Sequence, residues 1–374
     1  MVIKTEEFKK IGSLILSSIE SSELSTLTET LELKTEGKTL HLNVTNKEYY
    51  MSVDFELDHE EDFHATVNAN LFLKLVSQFT AETIELTLGE TDVNVKANGD
   101  YKIPLVFDDD KLLELPVITI ENPTVEMNIS GEILESILNY NTKELQKGTI
   151  ARPVQRMFYV DEEGCITFTS GACINTFTLE QPVRLLLNQR TVKLFKLFKN
   201  QMVKFTLGED PVSETITQTK VKFEIPGITL TVITNCDEEL IKTVPVKAIR
   251  GRATFDYPHQ VVLSKDALVQ TINRLLIFAQ GYGTKESLKP FSTFEFDTNK
   301  VTIYDVNKHN KEVLIYQNNT ALTEPYSLVL DLVDFKTVLD GCSEDYVTLK
   351  FGNHQCAVLV RGQISNVIPE VRSN

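Results

Sequence analysis

Cysteine is scarce in this 374-residue chain and poorly placed for structural chemistry. The five cysteines, Cys165, Cys173, Cys236, Cys342 and Cys356, are odd in number and scattered, and no Cys-x-x-Cys pair exists. That argues against a zinc site or disulfide framework and for buried reduced thiols. Long apolar runs are also missing: none reaches the ~18 residues of a membrane-spanning helix. Met1 to Lys10 is charged and lacks a signal-peptide segment, so a cytoplasmic location is expected. There is no Gly-x-x-x-x-Gly-Lys loop, no Gly-x-Ser-x-Gly elbow and no His-Glu-x-x-His, so the usual nucleotide, acyl-transfer and zinc-peptidase signatures are absent. The histidines (His41, His59, His64, His259, His309, His354) show no metal-ligand spacing. His59 beside Glu60, Glu61 and Asp62 reads as a solvated acidic loop, and Gly281-Tyr282-Gly283 as a turn. No cofactor or metal is expected. Basic residues are outnumbered, 37 against 53 acids, for a net charge of -16. Taken alone this speaks against a simple nucleic-acid binder, though a local basic stripe remains compatible with it.

What is there is repetition. Three segments share one order of elements, and each opens on an amphipathic helix: Glu7 to Glu20, Glu132 to Leu145, and Asp266 to Gln280. Phe8, Ile11, Leu14, Ile15 and Ile19 recur at the three- and four-residue spacing of one helical face, as do Leu268, Ile272, Leu275 and Leu276. Ser130 and Ser264 stand as N-caps. Hairpins follow, with turns at Glu36-Gly37-Lys38, at Asp161 to Gly164 and at Asp297 to Lys300, flanked by residues alternating at a period of two. A second helix is expected at Asn70 to Phe79, Gln189 to Phe198 and Leu332 to Leu339. The strand leaving it ends at Gly89, Gly208 and Gly352. The repeat is far longer than a solenoid period, so the copies are domains. The fold class expected is α+β, with two helices and about eight short strands per domain. Proline-bearing boundaries at Leu115 to Thr124 and Val244 to Tyr257 divide the chain into 1–122, 123–252 and 253–374.

Several stretches then resemble the bacterial sliding clamp, the β subunit of the replicative DNA polymerase. They are Ala65 to Leu75, Tyr101-Lys102-Ile103-Pro104-Leu105, Phe168-Thr169-Ser170-Gly171-Ala172 and the C-terminal Asn366 to Arg372. The resemblance spans essentially the whole chain and rests on the threefold order rather than on one motif. It implies three clamp domains forming half of a six-domain ring, a homodimer around duplex DNA, and a short-peptide contact with polymerase and clamp loader. It implies no chemistry of the protein's own.

A clamp needs cations facing phosphate without base contacts that would pin it. The resemblance puts the helices on the inner wall. Arg190, Lys193, Lys196 and Lys199 recur there at three-residue spacing, with no acid interrupting. Lys9, Lys10, Lys74, Lys143, Lys147, Arg152, Arg274 and Lys336 complete the expected DNA-binding set, in which the third repeat is the poorest. Acids gather at Asp54 to Asp62, Asp108 to Asp110 and Asp161 to Glu163, expected outside. Lysines on the polar side of a helix are also often merely solvated.

The resemblance further implies an apolar cleft between the second and third domains that holds an extended peptide. Residue matching assigns it Val154, Thr169, Gly171, Ile174, Val246, Ile368 and Pro369, with Ala172-Cys173 standing where the family has His-Arg. Tyr101, Ile103 and Leu105 in the first domain and Ile277 and Phe278 in the third are the candidate dimer faces. Two other readings stay open: a β-rich structural or receptor-binding protein built of repeats, and a hydrolase whose site residues converge only in space.

Overall fold

A computed structural model describes the chain apart from residues 17–18, 20–25, 147–151, 212, 214–216, 235–237, 282–289, 306, 318–321, 323, 354 and 372–374. Lys147, Cys236, Tyr282, Gly283, His354 and Arg372 therefore lie outside the described residues.

The first repeat runs β1 (Val2–Lys4), α1 (Thr5–Leu16), β2 (Thr30–Glu36), β3 (Thr39–Thr45), β4 (Tyr49–Glu56), β5 (His64–Asn68), α2 (Ala69–Ser77), β6 (Thr83–Leu88), β7 (Asp92–Lys96) and β8 (Asp100–Pro104). A connector with the small hairpin β9 (Phe107–Asp108) and β10 (Lys111–Leu112) leads out of it. The second runs β11 (Pro123–Ser130), α3 (Gly131–Ser136), a π-turn at Ile137–Asn141, α4 (Thr142–Leu145), β12 (Met157–Asp161), β13 (Gly164–Phe168), β14 (Ala172–Thr176), β15 (Arg184–Asn188), α5 (Gln189–Leu194), β16 (Met202–Pro211), β17 (Thr217–Ile225) and β18 (Ile228–Thr234). Two connector helices follow, α6 (Glu238–Lys242) and α7 (Val246–Ala253). The third runs β19 (His259–Ser264), α8 (Lys265–Gly281), β20 (Phe291–Phe296), β21 (Lys300–Tyr304), β22 (Lys311–Ile315), β23 (Tyr326–Asp331), α9 (Leu332–Leu339), β24 (Tyr346–Phe351), β25 (Cys356–Arg361) and β26 (Ile364–Pro369).

The fold is thus α+β with a threefold order of elements. Each repeat opens on a strand, not on the helix expected from periodicity. These leading strands are short or polar, and only their partners reveal them: β1, β11 and β19 pair with β6, β16 and β24. The connector helices α6 and α7 also escaped the sequence reading. So did the 3-10 turn Phe195–Phe198, where a single α-helix was expected.

Every repeat supplies two four-stranded antiparallel sheets, one from its leading and last three strands, one from its middle four. The middle-strand sheet of one repeat then continues into the other sheet of the next. β4 pairs with β18, and β14 with β26, giving two eight-stranded sheets. By compactness the chain forms two units, Met1–Leu134 with Arg190–Asn235, and Glu135–Gln189 with Cys236–Asn374. The second repeat is shared between them, because each of its sheets completes a neighbour's.

Local chemistry explains the helix starts. Asn68 caps α2 by accepting from the Leu71 N–H at 2.9 Å, and Asp331 caps α9 from the Val333 N–H at 2.9 Å. Ser130 and Ser264 accept from the Glu132 and Ala267 N–H groups. Gly131 is required where it stands: a Cβ there would fall 1.8 Å from the Phe198 carbonyl oxygen. Phe8 of α1 packs edge-on against Phe55 and Phe72 in the first unit. Cys165, Cys173, Cys342 and Cys356 are buried and are not joined in disulfides. No described helix is long and apolar enough to cross a membrane.

Candidate functional site

The strongest cationic feature is the segment Gln189 to Lys199. Val192, Leu194, Phe195, Leu197 and Phe198 are buried, while Lys193, Lys196 and Lys199 are exposed. Phe195 and Phe198 pack on Phe223, with ring centres 5.2 and 5.9 Å apart, which fixes the orientation of the opposite face. The change to a 3-10 turn at Phe195 has a consequence for charge. Three residues per turn keep positions three apart in register, so Lys196 and Lys199 stay on one line where an α-helix would drift. Arg190 is half-exposed and reaches Glu48 at 3.5 Å.

The other expected cations differ among the repeats. Lys10 on α1 and Lys74 on α2 are exposed, and Lys9 lies 3.4 Å from Glu6. Lys143 is half-buried, and its aliphatic stem lies against Gly341. Arg152 is exposed, and its backbone N–H donates to the Gln155 side chain at 2.9 Å. In the third repeat both candidates are already taken: Arg274 is held by Glu312 of β22, and Lys336 by Asp340 at 2.6 Å. Neither presents an unpaired charge. Among the expected outer acids, Asp161 is likewise not a solvated turn residue. It is buried and accepts from Arg250 of α7 at 2.6 Å.

The apolar site assembles in the second unit. Val154, Ile174 and Val367 share one buried cluster with Tyr159, Ile166 and Leu186, and Val246 of α7 packs against its edge. Thr169 is buried and donates to Glu144 at 2.7 Å, and the Gln155 amide donates to the Thr169 carbonyl at 3.2 Å. Gly171 sits at the β14–β26 seam, where a Cβ would meet the Val367 carbonyl oxygen at 2.4 Å and the Pro369 ring at 3.3 Å. A side chain there would push the two strands apart. Ile368 does not join this group. It is 1 % exposed and belongs to the core of the third repeat with Leu332 and Phe335. Strand alternation is the reason: Val367 and Ile368 must face opposite sides. The partly exposed members of the apolar site are Met157, Phe168, Leu240, Val246, Ala253 and Val360. Of these the sequence reading assigned only Val246 to the site; Leu240 stands on α6, which showed no period, and the others are brought there by strand pairing and by α7.

Among the expected dimer residues, Tyr101 and Leu105 are accessible while Ile103 is 3 % exposed and belongs to a core. Tyr101 leans on Phe79, with ring centres 5.5 Å apart. Ile277 and Phe278 on α8 are exposed at 65 % and 39 %. Val313 and Ile315 of β22, which packs on α8, are exposed too and were not foreseen. Among the described residues no group of three or more His, Cys, Asp or Glu could hold a metal ion.

No family model and no curated protein matches this sequence. Solved structures do. The DNA polymerase III subunit beta from Pseudomonas aeruginosa matches with a TM-score of 0.79 and 13% identity, over 100% of this chain and 99% of that one. The beta subunit from DNA polymerase of Streptococcus pyogenes matches at 0.80 and 13% identity, over 100% and 99%. The Helicobacter pylori beta clamp bound to a DNA ligase peptide matches at 0.74 and 13% identity, again over 100% and 99%. The chain therefore has the fold of these β subunits from end to end.

Proposed function

We propose that this chain is a DNA sliding clamp, a processivity factor without chemistry of its own. In this reading its three domains, 1–122, 123–252 and 253–374, pair with those of a second copy to encircle duplex DNA. The observation that carries it is the rule of sheet continuation. The middle-strand edge of each repeat pairs with the last strand of the next, β4 with β18 and β14 with β26. By that rule, among the described residues, β22 has no successor and β8 no predecessor. Two unpaired edges of complementary type on one molecule invite pairing with a second copy. A head-to-tail contact must close, and two copies of three repeats close a two-fold ring of six. Exposed Tyr101 on β8 and exposed Val313, Ile315, Ile277 and Phe278 on β22 and α8 support these edges as the contact.

Lys193, Lys196 and Lys199, with Arg190, Lys10, Lys74 and Arg152, form the proposed DNA-facing set. Their contacts would be to phosphate, and so independent of sequence and compatible with sliding. The apolar site around Val154, Thr169, Gly171, Ile174, Val246 and Pro369, extended by Met157, Leu240 and Val360, is the proposed seat of a partner peptide from polymerase or clamp loader. The DNA ligase peptide on the Helicobacter pylori clamp supports this. A weak peptide contact suffices, because a ring locked on DNA makes rebinding intramolecular.

The test is topological. Sedimentation equilibrium should give a dimer. Dimers cross-linked on nicked circular DNA should stay with the circle through gel filtration and leave once the DNA is linearised. A monomer at all concentrations, or equal retention on linear DNA, would refute the reading.

A further inference from the structure

Two rows of polar side chains cross one face of the first eight-stranded sheet. Thr66, Glu32, Asn43, Ser52 and Thr229 are successive cross-strand partners in one row. His64, Lys34, His41 and Asp54 form the next. All of these but Thr66, together with Glu114, Leu115 and Val117 of the connector, line a pocket of about 450 Å³. In the second eight-stranded sheet the next row stays polar, with Arg184, Asp161 and Thr176, but the first row is apolar across four strands. Leu186, Tyr159, Ile166 and Ile174 stand there, and they underlie the apolar site described above. One architectural position thus carries opposite chemistry in the two sheets.

The polar version is built rather than merely wet. Glu32 is 5 % exposed, and a buried carboxylate is costly unless its oxygens are bonded. One oxygen accepts from Asn43 Nδ2 at 2.9 Å, and the other lies 3.0 Å from His64 Nε2. His41 Nδ1 lies 2.8 Å from Asp54 Oδ1. The lining holds four carboxylates, Glu32, Glu36, Asp54 and Glu114, against the single lysine Lys34, so its field is negative. Burial, and then Glu32, Asp54 and Glu36, push the Tyr50 phenol above its ordinary range, which reports the same field. Asn43 is 4 % exposed, lines the pocket, and its Oδ1 accepts no hydrogen bond.

We infer that this pocket binds an organic cation bearing N–H donors, a guanidinium or primary ammonium group, with the accessible Asp54 and Glu114 carboxylates as acceptors. The flat fork of a guanidinium matches a carboxylate edge, and charge-assisted bonds of this kind are the strong ones. The site shares no residue with the cationic helix or the apolar site and does not depend on the clamp reading. The cation has two possible sources, an arginine side chain of a bound protein or a free polyamine.

The imidazole signals of His41 and His64, assigned by His41→Gln and His64→Gln, report occupancy by NMR. The full chain is titrated at constant ionic strength with acetyl-arginine methylamide, with spermidine, and with neutral acetyl-norleucine methylamide. Saturable shifts at both histidines with a cation, absent with the neutral compound, are expected. Tighter binding of the arginine derivative assigns a protein side chain as the source, and tighter binding of spermidine assigns a polyamine. Asp54→Asn and Glu114→Gln, both at accessible positions, should each weaken binding about tenfold, as removal of one charge-assisted bond would. No saturation with either cation, or undiminished binding in both variants, overturns the inference.

Discussion

Val367 and Ile368 are consecutive in β26, yet their side chains enter different cores. Val367 lies with Val154 and Ile174 at the apolar site, whereas Ile368 lies with Phe335 and Leu332 in the third repeat. Ile368→Asp should therefore act on folding. An unpaired carboxylate in that core should cost more than about 4 kcal/mol. A thermal melt should show it as a lowered or lost transition. Val246→Asp, at a half-buried position, should keep the melting temperature within a few degrees. It should weaken binding of a fluorescent extended peptide with apolar anchor residues by about tenfold or more, as loss of an anchor contact would.

Under the proposed clamp function, Lys193→Glu with Lys196→Glu should shorten the residence of the cross-linked dimer on circular DNA. The dependence of log affinity on log salt should flatten by about 0.9 for each phosphate that is no longer neutralised. Arg274→Ala and Lys336→Ala should each change residence less than about twofold, since both cations are already neutralised by an acid. Retention at several salt concentrations separates the two classes. Equal effects would remove the second repeat from its privileged place.

Asp210 ties the connector to the first unit. It accepts from Lys220 Nζ at 2.9 Å and from the Asn122 and Glu121 backbone N–H groups at 2.9 and 3.1 Å. The Lys220 bond chiefly, with those N–H groups, holds its carboxyl at about 2 against burial, below the ordinary 3.8. A depressed native pKa stabilises the fold above the unfolded value. The stabilisation is lost as pH falls from 3.8 through about 2. Urea midpoints measured across that window should fall for the natural chain. The part of the fall due to this carboxyl should be missing in Asp210→Asn, which should start lower at neutral pH.

Val313 and Ile315 lie on an edge strand, half-exposed or more. Val313→Lys with Ile315→Lys should block pairing at that edge, because charged edge strands resist addition of another strand. Sedimentation should show folded monomers with an unchanged melt at low protein concentration. A dimer as stable as the natural one would place the contact elsewhere.

Much of the fold was legible because it is written in local periods. Alternation in Leu40 to Val44 marks β3, and the three- and four-residue spacing of Phe8, Ile11 and Ile15 marks α1. Turn residues around Gly37 and Gly164 set the hairpins, and both glycines adopt positive φ. The line of Lys193, Lys196 and Lys199 could also be read, since its buried partners are their sequence neighbours. The leading strand β1 and the helix α6 could not. They are too short to show a period, and long-range partners such as Glu85 opposite Val2 hold β1 in place.

The sequence by itself determined that one α+β unit recurs three times and that one helix of the second copy carries cations on its polar side, because helix and strand periods are properties of neighbouring residues. Only the tertiary structure decided which cations keep a partner. Arg274 finds Glu312 across 38 residues. It also decided that Ile368 faces away from Val367's site, and that Glu32, Asn43 and Asp54 share a pocket. Those outcomes depend on which distant strands meet and in what register, which is decided by the faces buried between them and is not visible within one strand.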